Sequence, residues 1–208
     1  MALFLRTIFK KLDDMNMVVE KSGLLKVRQM VEKAVKEPVA GKYKWWHAAA
    51  ALVVLTLVGA LQSGSRKRTR KFYQKDNKQA PWAPPAWLFG PAWTVNNIFL
   101  LWGLLKILND KGLKGRSTLL GLQGGIWAIF LSFGYVYFRK GSPVLAEVWT
   151  QADAALATAS ISTALRADKK LALAYLPLFA WTWFASSLSA YQALKNPDPV
   201  LGTPAPLA

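Results

Sequence analysis

Apolar positions fall in long unbroken blocks, and the basic positions lie between them. The blocks cover residues 45–61, 87–108, 119–138, 144–165 and 171–194. Each is close to the ~20 residues that a helix needs to cross ~30 Å of hydrocarbon. The runs are continuous rather than alternating, which predicts helices and not barrel strands. The fold class expected from this pattern is an all-α membrane protein, a five-transmembrane-helix bundle. The block 144–165 is the most polar, with Glu147, Gln151 and Asp153. It spans only if a bundle turns that polar face away from lipid.

The connections between later blocks are short, so sequential helices are expected to be antiparallel neighbours. The longest connection, 62–86, is polybasic: Arg66, Lys67, Arg68, Arg70 and Lys71 are followed by Lys75 and Lys78. Such a run suits anionic lipid headgroups or an acidic partner, and also a solvated loop that fixes topology. The side with the N-terminal arm and the second and fourth connections holds 17 Lys and Arg, against 10 on the other side. Weighted to short loops, this only slightly favours the N-terminus on the positive-inside side.

Residues 1–44 precede the first block as an amphipathic basic arm. Arg6, Lys10 and Lys11 oppose Leu5, Ile8, Phe9 and Leu12. This matches a mitochondrial targeting helix and equally a helix lying on a membrane surface. Leu24, Val27, Val31 and Val35 form a second stripe, between Gly23 and Pro38. A stripe of this kind folds onto the interface or docks on another protein. The tail, 196–208, has four prolines and no periodicity, and reads as an extended segment.

Composition narrows the chemistry. The 208 residues include no cysteine and one histidine, which excludes disulfides, thiol catalysis and multi-histidine metal sites. No metal site is expected. His47 lies beside Trp45 and Trp46 and reads as an interfacial histidine rather than a haem ligand. A net charge of +16 first suggests nucleic acid. Its distribution between apolar blocks points to lipid headgroups instead, so nucleic acid is not an expected partner. No paired carboxylates, phosphate loop or nucleophile elbow occurs, so a catalytic role is not expected.

The densest signal is the segment from Pro81 to Thr94. Pro84 and Pro85 set an extended entry to the second span, Pro91 sits near its start, and Trp82, Trp87 and Trp93 offer flat surfaces at the membrane boundary. The string Trp82, Pro84, Pro85, Trp87, Phe89, Gly90, Pro91, Trp93, Thr94 resembles the translocator-protein family, the tryptophan-rich sensory proteins (TspO/MBR), with Ala92 where the family has valine. Gln123 resembles the glutamine of the family's third helix. Pro177, Ala180, Trp181, Phe184, Ala185 and Leu188 resemble its fifth-helix pattern. The resemblance covers residues 45–195.

That family is a five-helix bundle that binds porphyrins, haem-related tetrapyrroles and sterols beneath its first loop. The resemblance therefore implies a pocket lined by Trp82, Trp87, Phe89, Trp93, Asn97, Gln123, Trp127, Trp181 and Phe184, or the same rings as plain bundle packing. Leu188, Tyr191 and Lys195 also fit a sterol-type pattern, a weak one wherever it occurs. No cofactor is fixed by the residues; a lipid, a sterol or a porphyrin is the ligand the resemblance implies. Several departures fall at pocket-shaping positions. Trp127 and Ser189 stand where the family has asparagine, and Asn97 and Leu178 where it has tyrosine.

Two functions follow. The first is a non-catalytic accessory subunit of a larger membrane complex of mitochondrial respiratory type, in the inner membrane, with the arm and the tail docking on other subunits. The second is a stand-alone tetrapyrrole or sterol binding, transport or sensing protein, in the outer mitochondrial or a bacterial membrane. The eroded pocket favours the first, and the retained tryptophan motif the second.

Overall fold

The computed structural model describes Gln29 and residues 41–207. The two amphipathic stripes of the arm lie outside the described residues. Among the described residues the regular structure is all helical, with five long helices. These are α1 (Trp45–Ser63), α2 (Phe89–Asn109), α3 (Arg116–Gly134), α4 (Pro143–Ala167) and α5 (Leu176–Lys195). Four stretches are long and apolar enough to cross a membrane: Trp45–Ser63, Ala86–Asn109, Arg116–Arg139 and Lys169–Lys195. Helix α4 is long enough but is not among them, because its polar residues dilute its apolar face.

The helix starts follow local chemistry. Pro91 lies in the first turn of α2, where its missing N–H is not needed. Ser142 caps α4, its Oγ accepting from Leu145 N at 3.1 Å, with Pro143 next. Asp168 caps the short helix Lys169–Ala172 by accepting from Lys170 N at 2.8 Å. The apolar block that opens at residue 171 does not form one helix. The chain turns after Ala172 and restarts at Leu176, so that Pro177 falls in a first turn instead of breaking an interior one.

The helices close a ring. Helix α4 packs on α5 and α3, α3 on α1, α1 on α2, and α2 on both α5 and α3. The α4–α5 contact is the most extensive. Small residues explain it: Ala146, Thr150, Ala157, Ser160 and Ala164 are buried along α4, and Thr182, Ser186 and Ser189 along α5. In lipid the tails are as apolar as leucine, so close packing of small residues, not escape from water, drives association. Glycine serves the same end twice. A Cβ on Gly134 would lie 2.3 Å from Ser63 Oγ, so this glycine lets the end of α3 meet the end of α1. A Cβ on Gly103 would lie 2.8 Å from Ala174 Cβ, where α2 meets the turn before α5.

The centre of the bundle is Ile98, Leu100, Trp102, Leu119, Ile126, Leu171, Tyr175 and Leu178. Helix α1 contributes little to it. Trp46, Val53, Val54, Leu57 and Leu61 form an outward stripe along that helix.

Residues 64–88, here loop 1, join α1 to α2 through a short helix (Arg66–Lys71), a π turn (Phe72–Asp76) and a 3-10 turn (Ala86–Leu88). The tail lies against this loop. Its prolines suggest an extended segment, but the backbone turns at 199–202 and pairs Asp198 with Thr203. Leu207 N then returns to Leu194 O at 2.8 Å. Asp198 causes the turn. Its carboxylate accepts from Val200 N and Leu201 N, at 2.9 and 3.0 Å, within the tail. It also accepts from Ser142 Oγ at 2.5 Å and Val144 N at 3.0 Å, at the start of α4. Burial alone would raise this carboxyl. The hydrogen bonds from Ser142, Leu201, Val144 and Val200 outweigh that and hold it below the ordinary carboxylate range.

Candidate functional site

The aromatic residues singled out in the sequence form two sets on α2, α3 and α5: one that reaches the surface, called shallow here, and one built around the buried Gln123, called deep. The shallow set is Phe89, Trp181 and Phe184. Phe89 meets Trp181 edge to face at 5.5 Å, and Trp181 meets Phe184 at 5.9 Å. Tyr73 from loop 1 packs edge-on against Phe89 at 5.3 Å. Its hydroxyl donates to Pro84 O at 3.0 Å, which holds the proline entry in place. Burial, with Tyr137 close by, pushes the Tyr73 hydroxyl up to about 12. Trp82 hangs over the outer turn of α5. Its Nε1 donates to Ser187 Oγ at 3.1 Å and its ring meets Tyr191 edge-on at 5.6 Å. Trp82, Trp87 and Phe184 stay roughly half exposed, at 52%, 41% and 38%.

The deep set is Trp93, Gln123 and Trp127. Trp93 and Trp127 both pack on Phe130, at 5.2 and 5.8 Å. Gln123 is fully buried and has partners on both sides of its amide. Its Nε2 donates to Leu100 O at 3.0 Å and to Tyr175 Oη at 3.3 Å, and its Oε1 accepts from Trp127 Nε1 at 3.1 Å. Trp127 also packs against two of the apolar clusters of the bundle. The bulk of Trp127 therefore lies against the core, and its indole N–H engages Gln123.

Several interior polar atoms have no hydrogen-bond partner: Asn96 Nδ2, Asn97 Oδ1, Asp153 Oδ1, Ser160 Oγ and the Nε1 atoms of Trp45, Trp102 and Trp181. Each is costly in an apolar interior. Trp181 Nε1 stands out because it belongs to the shallow aromatic set. Asn97 is buried. Of the sterol-type pattern, Leu188 is buried in the bundle, Tyr191 is held by Trp82 and Lys195 is half exposed. The three do not form one lipid-facing surface. His47 stacks on Trp46 at 3.5 Å and accepts from Lys44 N at 3.0 Å, which makes it a helix-start residue at the boundary.

Sequence reasoning did not single out the polar clamp above the shallow set. Asn196 accepts from Lys78 N at 2.7 Å and donates to Lys78 O at 3.0 Å, imitating a strand partner. Gln192 donates to Gln79 Oε1 at 2.7 Å and accepts from Tyr137 Oη at 2.6 Å, and Gln79 donates to Tyr73 O at 2.7 Å. The available signal was the run Asn196-Pro197-Asp198-Pro199, whose residue types favour side-chain-to-backbone bonds in turns. Tyr175, fully buried against Gln123, was also passed over.

The sequence model of the TspO/MBR family matches residues 48–194. A curated relative, the tryptophan-rich protein TspO of Chlorobaculum tepidum, is 26% identical over 142 residues, 67% of this chain and 89% of the relative.

Proposed function

The chain belongs to the TspO/MBR family, and on that footing we propose that it is an integral membrane protein that holds a flat, largely apolar ligand of the tetrapyrrole or sterol class. The ligand lies on the aromatic wall of Phe89, Trp181 and Phe184, under Trp82 and loop 1. All five long helices span the membrane, α4 with its polar face turned into the bundle. The binding is non-catalytic.

The observation that carries this reading is the shallow set itself. Its rings meet edge to face or tilted and are partly open, and they include a buried indole N–H, Trp181 Nε1, that lacks an acceptor. Aromatic faces suit a planar macrocycle or a sterol ring system. A carboxylate or hydroxyl oxygen on the ligand would give Trp181 the acceptor it lacks. The deep set is unsuited, because Gln123 and Trp127 already satisfy each other. The ligand thus lies on the aromatic wall and not against Gln123.

The accessory-subunit expectation draws no support from the family match. The tail, one of its two docking elements, is bonded to its own chain through Asn196 and Asp198. The mitochondrial location rests on the arm alone, and the relative named above is bacterial.

The test is a Soret-band titration of the detergent-solubilised full chain with protoporphyrin IX. A saturable shift is expected, weakened severalfold in Trp181→Phe, which keeps the ring and removes the N–H. Trp127→Ala should leave it within about twofold, because that residue lies in the deep set. No saturable shift with a porphyrin, and none with a fluorescent sterol, would refute the reading. Loss in Trp127→Ala but not in Trp181→Phe would move the ligand to the deep set.

A further inference from the structure

Helix α4 carries an acid near its middle that no group of the fold answers. Asp153 is 3% exposed, and its Oδ1 is buried without a hydrogen-bond partner. Its place follows from the faces of α4. Trp149 Nε1 donates to Ser132 Oγ at 2.8 Å, and Leu156 lies against Gly125, so that side of α4 meets α3. Glu147 accepts from Ser189 Oγ, and Thr158 Oγ1 accepts from Trp183 Nε1 at 3.3 Å, so another side meets α5. Val148, Ala152 and Ala155 form the exposed back of the helix. Asp153 lies on the remaining face, between the α3 and α5 sides, with Ala146 and Ala157. Ala157, one turn away, belongs to the central cluster with Ile126 and Leu178. Ala146, two turns the other way, belongs to a second cluster with Tyr73 of loop 1, and Phe89 packs against it. Asp153 therefore stands between the bundle centre and the cluster that carries Phe89 of the aromatic wall.

The helices alongside do not supply the missing donor. Their buried hydroxyls direct their protons to their own backbones: Thr150 to Ala146 O at 2.8 Å, Thr182 to Leu178 O at 2.9 Å and Ser186 to Thr182 O at 2.8 Å. A hydroxyl so bonded has only acceptor capacity left. Residues 117–138 of α3 and its continuation and 176–194 of α5 contain no Lys, Arg or His. An acceptor without a donor is unfavourable in an apolar interior, and a donor that arrives there relieves it.

We infer that Asp153 is the polar anchor of the ligand site and makes it selective for an uncharged alcohol of the sterol class over a tetrapyrrole carboxylate. The inference rests on the proposed binding at the aromatic wall and adds what the wall does not decide, since aromatic faces suit either ring system. The two unmet groups are opposite in kind: Trp181 Nε1 lacks an acceptor and Asp153 Oδ1 lacks a donor. A ligand hydroxyl has both an acceptor oxygen and a proton to donate. A ligand carboxylate serves Trp181 alone, and it brings a second carboxyl group into the interior that holds Asp153. A ketone also serves Trp181 alone.

The experiment is a competition on the detergent-solubilised full chain. The fluorescent sterol alcohol dehydroergosterol is bound first, and is then displaced by cholesterol, by cholestenone (the corresponding ketone) or by protoporphyrin IX. Cholesterol should compete about tenfold better than cholestenone, as a hydrogen bond to a carboxylate implies. Asp153→Asn keeps the shape of the side chain and adds a donor. It should bring the alcohol-to-ketone ratio within about twofold of one and strengthen protoporphyrin IX severalfold. The ratio in the native chain needs no variant, so the outcome does not hang on the folding of Asp153→Asn. If dehydroergosterol binds saturably but cholesterol and cholestenone compete equally, the inference alone is overturned. A ratio unchanged in Asp153→Asn overturns it as well. Saturable binding of neither dehydroergosterol nor protoporphyrin IX would remove the aromatic-wall reading, and this inference with it.

Discussion

Replacing Asp198 with alanine should release the tail and leave the bundle intact. Asp198 has four donors, and they do not count equally. The N–H groups of Val200 and Leu201 lie within the tail, so those bonds persist when the tail lifts away. Ser142 Oγ and Val144 N belong to the start of α4, and these two bonds dock the tail on that helix. A hydrogen bond to a charged group contributes about 1.5–3 kcal/mol, so the two together give at least about 3 kcal/mol. That corresponds to roughly a hundredfold change in the docking equilibrium. The assay is hydrogen exchange with mass spectrometry on peptides covering 142–146 and 196–207, with circular dichroism as the check on helix content. Protection in both peptides should fall by about a hundredfold. The pH dependence has a definite sign. The folded carboxyl is held below the ordinary range, so the docking that the charge supports is complete above about pH 4 and is lost as pH falls further, through the depressed value. A change in protection under threefold in Asp198→Ala, or tail release already complete at pH 5, would refute the reasoning.

Asn196→Ala removes both bonds to Lys78, and trypsin cleavage after Lys75 and Lys78 should rise about tenfold, as two lost net hydrogen bonds imply; an unchanged rate would show that loop 1 is held by other contacts. Gly134→Val forces a side chain into the space of Ser63, and should destabilise the bundle by about 1–3 kcal/mol, read as a lower detergent melting temperature, whereas Gly121→Ala, which meets open space, should not. In a phenolate absorbance titration, Tyr73→Phe should remove a group that ionises near pH 12, not near 10. The support that its hydroxyl gives loop 1 is therefore complete below pH 10 and fades between 10 and 12; a Tyr73→Phe curve matching the native one would contradict this.

The helices were legible because a membrane-length apolar run is a coarse signal that survives local exceptions. Block 45–61 became Trp45–Ser63, and 144–165 became Pro143–Ala167. The exception, 171–194, shows how a single proline shifts a boundary: Pro177 fits only near a helix start, so α5 begins at Leu176. The shallow aromatic set was legible as well, since Phe89, Trp181 and Phe184 are large residues in a dense motif. The deep set was legible only in part. The sequence places Trp127 one turn after Gln123, but nothing in it says that the indole N–H would meet that amide and not a ligand. The clamp was hidden for a different reason. Asn196, Gln192 and Gln79 are ordinary polar residues, and their roles come from contacts across 113 to 118 residues, a separation that no local pattern encodes.

The clamp has a practical consequence for mapping. Because Asn196 and Asp198 hold the tail up to Leu207 against loop 1 and the start of α4, a reporter fused after Leu207 emerges on the loop 1 side of the bundle. Protection of that one fusion from added protease, in sealed vesicles of known sidedness, then assigns the leaflet of Arg66–Lys71 without any label placed inside loop 1.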